Sequence, residues 1–296
     1  MSETAQATKT VGVALGGGAA RALAHIGAFK ALEACGFAPG VLAGTSSGAL
    51  MGALYALEPS GETLERWALE QDNRAFWANA LDFGLHRAGL VHGQKFHGYL
   101  ERTYFHGATF ADLALPLAIA CTDFDTGELV VLTEGNVARA IQASCAFPGF
   151  FAAVRWEGRP LGDGGLVATV PFAALDGFGV GLRIGLHAGV PTDSSPVVAA
   201  LRHWQASERG KRVQQVLLSF EGDTPYAGLL RGLARVQTSY EQGISAPEGA
   251  YLISTNPPIA WWDFHKAGKA IAAGEQVTRA ALADLLRVDE VEKVNF

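Results

Sequence analysis

The chain has 296 residues, of which 49% are hydrophobic and 18% charged. A chain of this length and composition can bury a large core, which excludes an intrinsically disordered protein. The 36 glycines show no three-residue period, which excludes a collagen-like protein and favours an α/β protein with many tight turns. The net charge of −6, without a run of basic residues, argues against nucleic acid as a partner.

The cysteines and the N-terminus bear on the cellular compartment. Three widely spaced cysteines, outside any Cys/His cluster, predict neither a disulfide framework nor a zinc site. Residues 1–10 are polar and lack the basic start and apolar core of a secretory signal. We therefore expect a cytoplasmic protein.

The first half of the chain predicts strands followed closely by helices. The apolar segment Thr10–Leu15 predicts a strand that leads through three glycines into a helix ending before Gly36. A second strand at Val41–Ala43 and a buried helix at Ala49–Leu57 follow. Two such units predict a sheet with parallel strands and helices on its faces.

The second of these units lies in a stretch without charged residues, Ala34–Leu57. A membrane span needs about 20 uninterrupted apolar residues, and Pro39 and several glycines interrupt this one. A strand, a tight turn and a buried helix explain the absence of charge, so no span is predicted.

Residues 61–104 predict helices joined by short loops. Their apolar anchors would be Trp67, Phe76, Trp77, Leu81, Phe83, Phe96 and Tyr99. Strands are predicted next at Leu117–Thr122 and Leu129–Leu132, joined by a turn. Asp123 and Asp125 of that turn fit an ordinary β-turn, so no metal site is predicted.

The remainder of the chain continues the α/β pattern. We predict a helix at 137–144, a hairpin around 156–160, an apolar segment at 180–187, further helices, and a strand at 251–254. A last helix from about 264 to 286 would turn Ile271, Val277, Leu282 and Leu285 inward. No internal repeat or long linker divides the chain, which favours one domain.

Gly44-Thr45-Ser46-Ser47-Gly48 matches G-x-S-x-G between a predicted strand and a predicted helix. A serine on so sharp a turn needs glycines two residues before and two after it, which selects Ser46. The N-terminal amides of the next helix would face developing negative charge. We expect Ser46 to be a nucleophile; the alternative is a serine that caps the helix.

Three consecutive glycines, Gly16, Gly17 and Gly18, precede the first helix. Their N–H groups can converge on one point, which suits an oxyanion or a phosphate equally. A nucleotide is the weaker interpretation, because the segment lacks the Gly-Lys-Ser/Thr ending of a P-loop and continues to Arg21 where a dinucleotide fingerprint has glycine. A tight turn beneath the helix is the purely structural alternative.

An activated serine needs a base. None of the eight histidines lies in a context that singles it out. Asp163, within Gly162-Asp163-Gly164-Gly165, is the other candidate, because neighbouring glycines would let its carboxylate approach a serine. The same composition fits an ordinary turn, so the residues alone leave both interpretations open.

Other segments accompany these motifs in a recognisable order. They are Val13–Arg21, Ala24–Gly27, Gly44–Gly48, Ala143–Pro148, Asp163–Gly165 and Val170–Pro171. Together they resemble the bacterial patatin-like phospholipase family, and Thr122–Glu128 and Asp263–His265 are similar to its RssA-like subgroup. The resemblance covers nearly the whole chain.

This resemblance implies a patatin-like α/β fold with three layers, α/β/α, around a central, mostly parallel sheet. It places a polar tail at 1–10, a catalytic core at 11–175, and C-terminal helices and a strand at 176–296 that complete the same domain. The implied activity is lipid acyl hydrolysis, by a phospholipase or esterase, on phospholipids or lysophospholipids. No cofactor is expected.

The resemblance also implies a role for each motif residue. Ser46 would be the nucleophile and Asp163 its base, in a Ser–Asp dyad without histidine. The supporting residues would be Gly16, Gly17, Gly18 and Arg21 in the oxyanion loop, Gly44, Thr45, Ser47 and Gly48 in the nucleophile elbow, and Gly164 and Gly165 in the base loop. Since a free aspartate is a weak base, we expect Asp163 to be desolvated with a raised pKa.

The sequence departs from the family pattern at two places. Ala22 stands where the family usually has glycine, and Val167-Ala168-Thr169 stands where asparagines are common. The first is expected to alter how the loop approaches substrate, and the second to alter a hydrogen bond near Asp163.

Two other functions remain open from the sequence. A Ser–His acyltransferase or α/β-hydrolase also uses G-x-S-x-G but requires a particular histidine. A regulatory or interaction protein with little turnover could use the same fold. The aromatic residues Trp67, Phe76, Trp77, Trp261 and Trp262 would form core, an acyl channel or a peripheral contact with a membrane.

Overall fold

The computed structural model describes residues 9–70, 83–86, 89–91, 93–147, 151–189 and 244–294. The strands in these ranges are β1 (Lys9–Leu15), β2 (Phe37–Thr45), β3 (Phe83–His86), β4 (Gly89–Val91), β5 (Leu117–Asp123), β6 (Leu129–Leu132), β7 (Val154–Trp156), β8 (Arg159–Asp163), β9 (Leu182–His187) and β10 (Ala250–Ser254). The α-helices are α1 (Ala24–Ala34), α2 (Ser47–Leu57), α3 (Gly61–Glu70), α4 (Gln94–Leu100), α5 (Val137–Ser144) and α6 (Ala267–Val294).

Eight of the described strands form one mixed sheet in the order β10-β9-β1-β2-β5-β8-β7, with β6 paired to β5. The five strands from β10 to β5 pair in parallel, whereas β6, β8 and β7 pair antiparallel. The sheet is therefore mostly parallel, as predicted. Because Leu15 lies opposite Gly44 and Leu186, and Ser254 opposite His187, β1, β2, β9 and β10 all end at one edge, which we call the carboxyl edge.

Alternating side chains of the central strands supply a core on each face of the sheet. Val13 and Leu42 belong to the larger core beneath the helices, and Ala14 and Ala43 to the smaller core on the opposite face. The smaller core is closed by the short 3-10 helix Phe172–Leu175. This alternation follows from the two-residue period of a strand and gives the three-layer α/β/α arrangement.

The strands and helices differ from the predictions at three places, one of which is α6, which continues to Val294 where an end near 286 was predicted. Strand β2 begins four residues earlier than Val41, because its pairing with β1 continues to Phe37 across a register shift at Val11/Gly12. Residues 83–91 were predicted to be helical, which is wrong: β3 and β4 form an antiparallel pair with Phe83 opposite Val91. Gly84 and Gly89 disfavour helix in this short segment.

Some predictions fall on residues outside the described ranges. These include Phe76, Trp77 and Leu81 as apolar anchors, Pro148 of the family motif, and the helices expected between β9 and β10. Of the other anchors, Phe96 and Tyr99 are buried in the larger core, and Trp67 packs edge-on against Tyr104.

The uncharged stretch Ala34–Leu57 forms the last residue of α1, the strand β2 and the helix α2. None of the helices in the described part of the chain combines the length and the hydropathy that a membrane span requires. The predicted strand, turn and helix are confirmed here.

Helix α6 packs closely against α1 through two glycines. A Cβ on Gly27 would lie 1.9 Å from the carbonyl oxygen of Ile271, and one on Gly274 would lie 1.9 Å from that of Ala24. The helix backbones therefore meet where any larger residue would hold them apart.

We predict that Gly27→Ala and Gly274→Ala each lower the free energy of unfolding by roughly 2–3 kcal/mol, because the added methyl group forces the helices apart. Gly268→Ala is the matched control on α6. Its Cβ would meet only Leu69 Cδ2 at 3.6 Å, and alanine favours helix. Urea unfolding of the three variants measures this. Equal unfolding free energies of Gly268→Ala and Gly274→Ala would contradict the prediction.

Candidate active site

The turn between β2 and α2 holds Ser46 in a conformation that few non-glycine residues adopt. Its backbone has φ 54° and ψ −127°, which costs about 1–3 kcal/mol. The turn is tight because a Cβ on Gly44 would lie 2.4 Å from the Ala49 Cα, and one on Gly48 would lie 2.3 Å from the Leu15 carbonyl oxygen. The glycines that selected Ser46 from the sequence are therefore required because other backbone atoms approach them too closely to leave room for a Cβ.

The hydroxyl of Ser46 donates a hydrogen bond to Asp163, with 2.8 Å between Oγ and Oδ2. The other carboxylate oxygen, Oδ1, accepts from the Gly165 amide at 2.8 Å. Asp163 ends β8 opposite Cys121 of β5, and its carbonyl accepts from Thr122 Oγ1 at 2.7 Å. A Cβ on Gly164 would lie 2.2 Å from the Ala120 carbonyl oxygen, which explains the glycine after the aspartate.

Burial raises the pKa of Asp163 to about 6, and this outweighs the hydrogen bonds from Gly165 and Ser46, which lower the pKa. The raised pKa expected for this residue is therefore found. A carboxylate with a pKa near neutrality is still ionised at pH 7 and accepts a proton more readily than an exposed aspartate.

The glycine loop lies directly against the serine. A Cβ on Gly17 would be 3.1 Å from the Ser46 Cβ and 3.8 Å from its Oγ. The Gly16 amide donates to the Leu186 carbonyl at 2.9 Å. Within the described residues, the amides of Gly17 and Gly18 donate no hydrogen bond to the protein, so they are available to a ligand beside Ser46.

A histidine that the sequence did not single out anchors this loop. His25 is fully buried, and its Nε2 lies 2.8 Å from the Gly16 carbonyl oxygen. Because a carbonyl only accepts, Nε2 carries the proton. Burial lowers the pKa of His25 to about 4, so the ring is neutral at pH 7. Its position among apolar residues in the first two turns of α1 was the signal available in the sequence.

Arg21 is also buried beside the loop, and its amide donates to the Gly18 carbonyl at 3.1 Å. The pKa of His187 is lowered mainly by burial and to a smaller extent by the positive charge of Arg21. Ala22, the first departure from the family pattern, is buried in the larger core.

Ser144 is a second residue whose role the sequence did not reveal. Its hydroxyl accepts from the Ser46 amide at 2.8 Å and donates to the Ala120 carbonyl at 2.7 Å, and the side chain is fully buried. It therefore satisfies the backbone N–H of the strained residue. The motif Ala143-Ser144 was visible in the sequence, but its partner lies 98 residues away.

Thr45 joins the elbow to the base loop. Its Oγ1 donates to the Ala168 carbonyl at 2.9 Å. Because the acceptor is a backbone group, this hydrogen bond forms even though position 168 departs from the family pattern. Cys145 lies close to Ser46 and Asp163. Burial and the charge of Asp163 raise the pKa of its thiol, which therefore stays protonated.

The residues predicted from the sequence for the elbow, the glycine loop and the base loop thus meet at one place. The aspartates of the 123–127 turn do not join them. Asp123 Oδ1 accepts from the amides of Asp125 and Thr126 at 2.9 and 3.3 Å, as expected of a β-turn.

The family model described as patatin-like phospholipase matches residues 13–176, which contain all these segments. The chain belongs to the patatin-like phospholipase family.

Relatives of this patatin-like protein occur in bacteria and fungi. It is 33% identical over 195 residues to an uncharacterized NTE family protein of Mycobacterium bovis, covering 64% of this chain and 53% of the relative. It is 30% identical over 190 residues to lysophospholipase NTE1 of Coccidioides immitis, covering 64% of this chain and 12% of that protein. The chain thus spans about half, or less, of these relatives.

Among solved structures, VipD from Legionella pneumophila aligns with a TM-score of 0.46 and 12% identity. The alignment covers 94% of this chain and 67% of that chain.

We predict that Asp163 makes the stability of this patatin-like protein depend on pH. Its folded pKa of about 6 exceeds its ordinary value of 3.8, so between these values the folded state binds the proton more tightly. The free energy of unfolding therefore falls as pH rises from about 4 to about 6, by on the order of 2–3 kcal/mol from this group, and then levels off.

Asp163→Asn removes this contribution. As the pH rises from about 4 to about 6, the unfolding free energy of the variant, measured by urea denaturation, should increase relative to that of the wild type. A difference that stays constant with pH would contradict the raised pKa.

We predict that Ser144→Ala lowers the free energy of unfolding by about 1–3 kcal/mol, because it leaves the Ser46 amide buried without a partner. Ser47→Ala is the matched control. The Ser47 hydroxyl is buried and has no hydrogen-bond partner among the described residues, so its removal should be neutral or slightly stabilising. Urea unfolding measures both, and equal losses would contradict the role of Ser144.

Proposed function

We propose that the protein is a serine hydrolase of lipid acyl esters that works through a Ser46–Asp163 dyad. The observation that carries the proposal is the 2.8 Å hydrogen bond from the Ser46 hydroxyl to the buried Asp163 carboxylate, beside two amides free to bind an oxyanion. The partial exposure of Ser46 and Gly17 leaves this place open to a substrate.

In the first step, Ser46 Oγ attacks the ester carbonyl while its proton passes to Asp163 Oδ2. The carbonyl π electrons move to oxygen and give a tetrahedral oxyanion. The Gly17 and Gly18 amides stabilise this charge, and each such donor is typically worth about 2.7–4 kcal/mol in the transition state. Because His25 and the Leu186 carbonyl hold Gly16, the next two residues need little reorganisation.

Collapse of the oxyanion breaks the bond to the leaving oxygen, which takes the proton from Asp163. The product is a Ser46 acyl ester and a free alcohol. Water then attacks the acyl carbonyl while Asp163 accepts its proton, and the proton finally returns to Ser46 as the carboxylic acid leaves. One carboxylate serves both halves because it is regenerated between them.

The proposed substrates are phospholipids or lysophospholipids, which the family name and the name of the fungal relative support. Such lipids are presented mainly at membrane or micelle surfaces, so the proposal includes a peripheral contact with lipid.

The competing Ser–His mechanism needs a histidine at the serine hydroxyl. The partner of that hydroxyl is instead Asp163, and His25 donates its Nε2 proton to a backbone carbonyl. This arrangement favours the aspartate as base.

We predict that Ser46→Ala abolishes hydrolysis of a soluble p-nitrophenyl ester and labelling by a fluorophosphonate, because both require the serine oxygen. Asp163→Asn should lower kcat by roughly 10²–10⁴-fold, since it removes the general base. Ser47→Ala, at the neighbouring hydroxyl, should remain active and be labelled.

Two outcomes would overturn this proposal. Wild-type protein that is not labelled at Ser46 would favour the regulatory alternative. A single histidine substitution that costs as much activity as Ser46→Ala, without loss of fold, would favour a Ser–His enzyme.

We further predict that kcat/KM rises with pH through a limb centred near pH 6 and then levels off, because only ionised Asp163 can accept the proton. The value follows from the raised pKa of this carboxyl. Initial rates on a soluble ester in buffers of constant ionic strength measure the limb. A profile without a carboxylate limb would contradict the role of Asp163 as base.

A further inference from the structure

Two tryptophans stand exposed close to the candidate active site. Trp261 and Trp262 have 41% and 46% of their surface accessible, and their rings contact edge-on with centroids 5.2 Å apart. So large an apolar side chain is usually mostly buried. Two adjacent exposed tryptophans therefore call for an explanation.

The exposure is fixed by the backbone around the pair. Asp263 is buried, and its Oδ2 accepts from the Ala260 amide at 3.1 Å and from Lys266 Nζ at 2.6 Å. The Phe264 amide donates to the Trp262 carbonyl at 3.0 Å. The rings thus project from a turn that is hydrogen-bonded on both sides of them.

The topology places this turn on the same side of the molecule as Ser46. Residues 255–263 follow β10, whose end lies at the carboxyl edge with the ends of β1 and β2. The Trp261 carbonyl accepts from the Ala20 amide at 2.9 Å, two residues beyond Gly18. The tryptophan turn is therefore attached directly to the glycine loop.

The charge of the segment that carries the pair suits a lipid surface. Between residues 255 and 274 the only acidic residue is Asp263, which is buried against Lys266, whereas Lys269 is exposed. The segment therefore presents no exposed carboxylate to anionic headgroups, although the whole chain carries a net charge of −6.

We infer that Trp261 and Trp262 form the contact through which the carboxyl edge docks on a phospholipid surface. Tryptophan suits the headgroup region because its ring is apolar and its N–H is polar. The pair exposes on the order of 200 Å², whereas a standard protein interface uses about 800 Å² on each partner. The inference rests on the proposed function for the choice of a lipid occupant.

The test measures binding separately from catalysis. Ser46→Ala protein serves as the parent, so that lipid is not consumed, and flotation with vesicles of phosphatidylcholine and phosphatidylglycerol gives the partition coefficient. Adding Trp261→Ala and Trp262→Ala should lower that coefficient at least roughly tenfold. Adding Phe178→Ala is the matched control, because Phe178 is 37% exposed and lies before β9, at the opposite edge.

A second measurement does not depend on removing large side chains. Vesicles with brominated acyl chains should quench part of the tryptophan emission of the parent, and Trp261→Phe with Trp262→Phe should remove most of the quenchable part. A parent that does not bind vesicles, a double alanine variant that binds like the parent, or an equal loss with Phe178→Ala would each overturn the inference. These outcomes are distinct from absence of fluorophosphonate labelling, which bears on the proposed function alone.

Discussion

The hydrogen bond between Ser46 and Asp163 depends on backbone segments that approach more closely than side chains would permit. The elbow lies against the end of β1, and the base loop lies against β5, each through a glycine at the point of contact. These contacts place a hydroxyl and a carboxylate 2.8 Å apart in surroundings that raise the pKa of the carboxyl. The fold therefore sets both the distance between the two groups and the acidity of one of them.

The strain at Ser46 is offset by hydrogen bonds from outside its own turn. Ser144 accepts from its amide, and Thr45 ties the adjacent residue to the base loop. Removing either link would leave a strained backbone with fewer constraints, so these two hydroxyls preserve the alignment of Ser46 without contacting its side-chain oxygen. His25 likewise holds the glycine loop in place, because its Nε2 donates to the Gly16 carbonyl.

Much of the fold and of the candidate site could be predicted because the informative residues are local. The G-x-S-x-G turn, the glycine loop and the helix at 137–144 have signals within a few positions of the chain, and the structure has them where they were expected. Ser144 and His25 were missed because their partners are a backbone amide and a carbonyl, which any residue could supply. The β3–β4 pair was missed because a few residues with two glycines carry little periodicity.

Ser46 and its hydrogen-bond partner Asp163 are 117 residues apart in the chain and lie on strands or turns on opposite sides of β5. Ser46 follows β2, which pairs in parallel with β1, whereas Asp163 ends a later strand that pairs antiparallel to β5. A chain that has emerged only as far as α2 thus contains Ser46 without the Asp163 carboxylate beside it. Under the proposed mechanism, chemical competence therefore requires the long-range pairing of β8 with β5, and a chain in which that pairing has not formed would be inert toward ester substrates.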